Sequence, residues 1–195
     1  MTEDWDNTKL GPWQNCEQQG FYAHGWEGTG IISKEPAVAL AFGLGFHAAA
    51  EEWCRQGLRG EDDESRQYAA FESAWEKELP SPVREALEIR QEKHSIANFK
   101  RLFVAYKSKF PVSLYQTVEV EKPFRFLLGQ AKPGLEIYWT GILDRIVRYH
   151  GELYFLELKT ASHSIDEKWL AQFQVSSQLR GYIWAGQQLL GTNFA

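Results

Sequence analysis

The sequence predicts an α+β domain, a central mixed β-sheet flanked by helices and preceded by a helical region, on three observations. Apolar residues recur every three to four positions between Pro36 and Lys107, the period of amphipathic helices. Beyond Pro111 the chain turns to β-branched and aromatic runs, which read as strands. A last helical pattern follows, so the order is helices, strands, helix. With 195 residues, 44% of them hydrophobic, the chain can bury a real core, and its length predicts a single domain over 1–195.

Residues 1–34 are rich in Gly, Trp and polar residues with no sustained period and read as a loop-rich N-terminal segment. The helical region covers 36–109. Pro36 suits a first helical turn, and Leu40, Leu44, His47, Ala48 and Glu51 then recur on one helix ending near Gly57. A second helix is expected from about Asp62 to Lys77, with Tyr68, Phe71 and Trp75 on one stripe. Pro80-Ser81-Pro82 breaks the pattern. A third helix is expected from Val83 to Lys107 through Leu87, Ile96, Phe99, Phe103 and Tyr106. The sheet and last helix occupy 112–190, with strands over Val112–Val120, Phe124–Leu128, Ile137–Tyr149 and Leu153–Thr160. Ser164, with Glu167 three residues on, reads as the cap of a helix running to about Leu190.

The composition excludes several classes. There is no run of 18 apolar residues to span a membrane, and the acidic start MTEDWDNTKL is unlike a secretory signal, so a cytoplasmic location is expected. Cys16 and Cys54 are too few for a disulfide framework or an iron–sulfur cluster within this chain. A net charge of −5 argues against coating nucleic acid by electrostatics alone, yet a local basic track would suffice to hold phosphates. Arg84, Arg90, Lys93, Lys100, Arg101, Lys107 and Lys109 are candidates for that track; interleaved Glu85, Glu88 and Glu92 fit a solvated helix face equally well. No G-x-S-x-G elbow or local cysteine motif supports a covalent nucleophile.

The most informative stretch is Tyr138 to Thr160, two strand-like runs joined at His150-Gly151. A two-residue turn there pairs Tyr149 with Glu152 and, counted back, sets Asp144 opposite Glu157. Side chains alternate faces with period two, so Asp144, Glu157 and Lys159 converge on one spot. Facing carboxylates, with β-carbons roughly 4.5–5.5 Å apart, repel and call for a neutralising cation. The alternative, a surface hairpin with a charged outer face, fits poorly with Ile142, Ile146 and Phe155 on that face. Hard oxygen donors favour Mg²⁺ or Mn²⁺, as one or two ions, over Zn²⁺.

Three motifs in order, Gly141-Ile-Leu-Asp144-Arg145, Glu157-Leu-Lys159-Thr160 and Gln178-Leu-Arg-Gly-Tyr182, make the chain resemble the PD-(D/E)XK nucleases. Within them it is similar to the RecB-like exonuclease branch, which includes CRISPR-adaptation nucleases. Trp13-Gln-Asn-Cys16 and the Gly43-Leu-Gly-Phe-His47 helix match upstream features of that branch, whereas His47 read alone is a packing histidine. The resemblance implies an α/β/α restriction-endonuclease-like core. It implies a metal held by His47, Asp144, Glu157 and the Leu158 backbone carbonyl, with Lys159 orienting or deprotonating the attacking water. It places Gln178 and Tyr182, four apart on one helix face, in the catalytic pocket, beside an ordinary polar helix face as the plainer reading. Glu121 sits where relatives often carry an acid. Thr160, Arg145 and Arg180 are further candidates for substrate contact, the two arginines being equally suited to structural ion pairs.

The activity implied is hydrolysis of DNA, single- or double-stranded, by an exonuclease of recombination, repair or phage DNA processing. A structure- or site-specific endonuclease is the runner-up, and an inactive DNA- or protein-binding relative the rival of another class. With no Walker A motif, processive unwinding calls for a helicase or recombination partner; a homo-oligomeric ring would also favour exonuclease action. Gly191-Thr-Asn-Phe-Ala195 reads as an interrupted continuation of the chain. Trp26 is the expected base-stacking tryptophan.

Overall fold

A computed structural model of the chain describes residues 2–7, 9, 10, 12, 24, 37–161, 165–174 and 176–191. Expectations for Trp13, Cys16, Trp26, Pro36, Ser164 and the last four residues lie outside these. The elements run β1 (Thr2–Trp5), α1 (Val38–Leu58), α2 (Glu64–Glu78), α3 (Ser81–Ile89), α4 (Ile96–Lys109), a 3₁₀ turn (Val112–Leu114), β2 (Gln116–Lys132), β3 (Leu135–Tyr149), β4 (Glu152–Leu156), α5 (Glu167–Gln174) and α6 (Ser177–Leu190). The sheet has the order β1-β3-β2, with β4 also on β3. β1 is parallel to β3 and β4 antiparallel to it, so the sheet is mixed, as expected. By contacts the residues form two compact units, Met1–Glu35 with Lys122–Leu143, and Pro36–Glu121 with Asp144–Ala195.

In the first unit, β1 pairs Thr2–Trp5 with Glu136–Trp139. That strand corrects the reading of the first residues as loop; four residues are too few to show a period without their partner. The Phe124 ring packs on Trp139, 4.6 Å between centroids. Arg125 lies 3.4 Å over the Tyr138 ring and bonds Asp4 at 2.9 Å.

The second unit carries the hydrophobic core. α1 presents Phe42, Phe46, Ala49, Ala50 and Trp53 at three- and four-residue steps. Against them pack Phe71 and Trp75 of α2, Leu87 of α3, and Phe99 and Phe103 of α4. Asp63 caps α2 by accepting from the Ser65 amide at 3.0 Å, and Ser95 caps α4 by accepting from Asn98. The single helix expected over Val83–Lys107 is therefore two. Leu87 and Ile96 keep an apolar rhythm across the gap, but Gln91 takes a positive φ of 50° and the buried Ser95 starts a new helix. The last helix likewise divides into α5 and α6, because Ser176 caps the second by accepting from Leu179 N. The run expected as a strand from Val112 starts as a 3₁₀ turn, and the strands expected over 112–120 and 124–128 form one β2.

Beneath the aromatic core lies a polar knot. Gln56 and Gln67 are both fully buried; Gln67 donates to Gln56 Oε1 at 2.7 Å, and the same oxygen accepts from the Asp63 amide at 2.7 Å. Gln67 in turn accepts from Lys107. Gln56→Leu leaves the Asp63 amide without this acceptor, at roughly 1–3 kcal/mol, while Gln67 keeps its bond to Asp62 at 2.8 Å, so its urea midpoint is expected to fall. The double variant Gln56→Leu/Gln67→Leu should lose less than the two single losses added, because it removes donor and acceptor together; an additive loss would count against this knot.

Candidate active site

The site grows from the β3–β4 hairpin. His150 and Gly151 have φ of 49° and 90°, the pair of positive values a type I′ turn requires, and Gly151 takes its value without strain. The register follows as read: Tyr149 pairs with Glu152 and Ile146 with Phe155, the last pair being Arg145 with Leu156. β4 ends there, one pair short of Asp144 and Glu157. In place of a ladder bond, Asp144 Oδ2 accepts the Leu158 amide at 2.9 Å. Ile146 is fully buried and Phe155 half-buried on this face, whereas Ile142, three residues past the last pair, is exposed.

Leu158 packs on the helical core, which anchors the strand end between Glu157 and Lys159. Its peptide also engages α1: the His47 imidazole hydrogen-bonds the Leu158 backbone, and its Nδ1 lies 3.7 Å from Asp144 Oδ2. One turn before His47, a β-carbon at Gly43 would lie 2.8 Å from Thr160 Oγ1, so a larger residue there would make the Thr160 side chain shift. Burial lowers the His47 pKa and Lys159 lowers it further, against the opposing pull of Asp144. A neutral imidazole results, the form a metal takes.

On the other side, Lys159 Nζ donates to Glu157 Oε1 and to Gln178 Oε1, the latter at 3.1 Å. Gln178 Nε2 lies 3.3 Å from the same Glu157 oxygen and 3.1 Å from the Tyr182 hydroxyl. Tyr182 is buried, with its ring edge-on to Phe155. Glu157 Oε2 is buried without a hydrogen-bond partner. Burial and then Asp144 raise the Glu157 pKa; Lys159 opposes them.

Glu121 joins from β2 with a φ of 53°, rare for a residue with a side chain. Its pKa is raised to about 7 by burial, then by Glu51 and Asp144, against Arg55, with a further push from Glu157. Glu51, which the sequence offers only as part of the helix stripe, sits four residues after His47 on the same helix face. Because burial and acidic neighbours disfavour ionised Glu121 in the fold, wild-type stability is lost as pH rises from about 4.5 towards 7. In EDTA, Glu121→Gln should melt higher than wild type at pH 8 and no differently near pH 4; a difference independent of pH would overturn this.

Arg145 is buried and donates from Nε to Thr117 at 2.9 Å, while Thr160 and Arg180 are exposed. Of the expected basic track, Lys93 and Lys109 line the pocket. Lys107 engages Asp62, Arg84 engages Glu76, and Arg90 lies 3.7 Å from Glu92. The pocket, about 1040 Å³, holds His47, Glu51, Glu121, Asp144, Glu157 and Lys159.

Among the described residues no group of three or more His, Cys, Asp or Glu side chains is gathered as a metal cage. The donors nevertheless suit a hard cation: Mg²⁺ keeps several waters and uses one or two carboxylates, and Glu157 Oε2 is a buried acceptor with nothing to accept. Lys159 supplies here the neutralising charge that the sequence assigns to a cation. Among the described residues no helix is long and apolar enough to cross a membrane, and Cys54 is a free, buried thiol.

No match was found among curated proteins. A family model of the PD-(D/E)XK nuclease superfamily matches residues 15–193. That span takes in the His47 helix, both arms of the Asp144–Glu157 hairpin and the Gln178–Tyr182 helix turn, and on it the chain belongs to the PD-(D/E)XK nuclease superfamily.

Proposed function

We propose that the chain is a deoxyribonuclease dependent on Mg²⁺ or Mn²⁺, an exonuclease of the RecB-like branch acting in recombination, repair or phage DNA processing. The observation that carries this reading is that Asp144, Glu157 and Lys159 line one pocket, with Gln178 bonded to Lys159 and to Tyr182, one Glu157 oxygen bound by Lys159 and the other buried and unsatisfied.

Asp144, Glu157, the Leu158 carbonyl and His47 are the groups that would hold the cation. When bound, the ion supplies positive charge against the reacting phosphate. The chain does the rest. Gln178 fixes Lys159 from one side and Glu157 from the other, so the ammonium stays over the pocket, where it orients the attacking water or accepts its proton. Tyr182, buried behind Gln178, holds that amide in place. Processive unwinding would come from a helicase partner, and ring closure from further copies of the chain.

End-labelled linear and closed circular DNA, single- and double-stranded, is incubated with Mg²⁺, Mn²⁺ or EDTA. Metal-dependent loss of linear DNA alone is expected. Cutting of circles would replace the exonuclease reading with an endonuclease, and no cutting under either metal would end the catalytic reading.

A further inference from the structure

The pocket around Glu157 and Lys159 is mostly carbon-lined, although phosphate chemistry itself needs no apolar wall. Part of that lining comes from α5. Trp169, Leu170 and Phe173 face the pocket, yet no α5 residue is fully buried. Trp169 and Phe173, one turn apart, meet edge to face with centroids 4.8 Å apart and planes at 74°, which leaves ring faces available to a third ring. Leu170 is 54% exposed. Trp169 and Phe173 are only partly buried, so the aromatic face of this helix is left partly open towards the pocket.

The same pocket also carries charge. Lys93 and Lys109 bracket α4 and line it, spreading basic groups along a helix roughly 21 Å long. Flat rings joined to anionic phosphates answer both features together. A duplex keeps the faces of its bases stacked inside, whereas a single strand can splay its bases onto aromatic rings.

We propose that Trp169 and Phe173 form a base-stacking wall for single-stranded DNA, continuous with the Glu157–Lys159 site, so that the strand reaching that site is unpaired. This rests on the nuclease reading for what happens next, but not for binding. Two ligand features follow. The bases nearest the site are held by stacking, with tolerance of sequence, and the phosphates by Lys93 and Lys109.

The test uses a single-stranded oligonucleotide with 2-aminopurine near its end, whose emission is quenched by stacking, in EDTA so that nothing is cut. The wild-type chain should quench it, and an unlabelled duplex of the same sequence should compete poorly. Trp169→Ala should lose quenching and weaken binding roughly 5- to 150-fold, the worth of one stacked base; Trp169→Phe should restore both. Lys109→Ala should lower the salt slope by about one, and Trp169→Ala should leave it unchanged. Undiminished quenching in Trp169→Ala and Phe173→Ala, or equal competition by duplex, would overturn the proposal. Cleavage is read separately: cutting that persists without a stacking signal overturns this wall alone, and stacking without any cutting removes the nuclease reading while the wall stands.

Discussion

Lys159→Met should lower the metal-dependent cleavage rate by about 10²- to 10⁴-fold, the usual worth of a positioned acid–base group, with little change in KM. The side chain is one-third exposed, so the fold should survive its loss. Its partner Glu157 keeps the Gln178 amide, 3.3 Å from Oε1, and so stays oriented without the ammonium. On the proposed reading, in which Lys159 acts on the attacking water rather than gripping the DNA, the loss should fall on kcat. Glu157→Ala should cost at least as much, and excess Mg²⁺ or Mn²⁺ should not rescue it. If Lys159→Met cut at the wild-type rate while Glu157→Ala did not, the lysine would be a structural counter-charge only. A loss carried by KM would assign it to phosphate binding.

Phe99→Ala carries the largest expected effect on stability. Phe99 is fully buried, stacked on Phe71 at 3.7 Å with planes 11° apart, and flanked by Phe103 at 5.3 Å and Phe46 and Tyr68 at 5.9 Å. Its removal opens a cavity among α1, α2 and α4 and should cost about 3–5 kcal/mol. Against a total stability of roughly 5–15 kcal/mol, that is a drop in melting midpoint of roughly 6–20 °C. Calorimetry reads it directly, and Phe99→Leu should lose less because it refills most of the volume. The effect should reach the site, since α1, which this stack supports, also carries His47 and Gly43. A midpoint within a degree or two of wild type would mean that the ring stack is not what holds α1.

Much of the hairpin was legible because its determinants are local. His150-Gly151 specifies a two-residue turn, and the turn specifies the register as far as Arg145 opposite Leu156; β4 ends there, so period two does not carry on to Glu157 and Lys159. The stripes on α1 and α2 were legible for the same reason. The boundaries failed where one side chain outweighed an apolar rhythm: Ser95 and Ser176 cap new helices inside runs whose spacing continues unbroken. Both serines were visible as capping residues, and Asn98 three residues after Ser95 is the position a cap engages.

The sequence by itself determined the α+β class and the hairpin register, because turns, strand alternation and helical stripes depend on neighbours a few residues apart. Only the tertiary structure decided the rest. It set β1 against β3 from more than 130 positions away in the chain, brought Glu51 and Glu121 up to Asp144, turned Arg145 inward onto Thr117, and closed Lys159, Gln178 and Tyr182 around Glu157. Those outcomes rest on packing and burial between distant segments, where desolvation fixes which charges must find partners, and no local pattern records that.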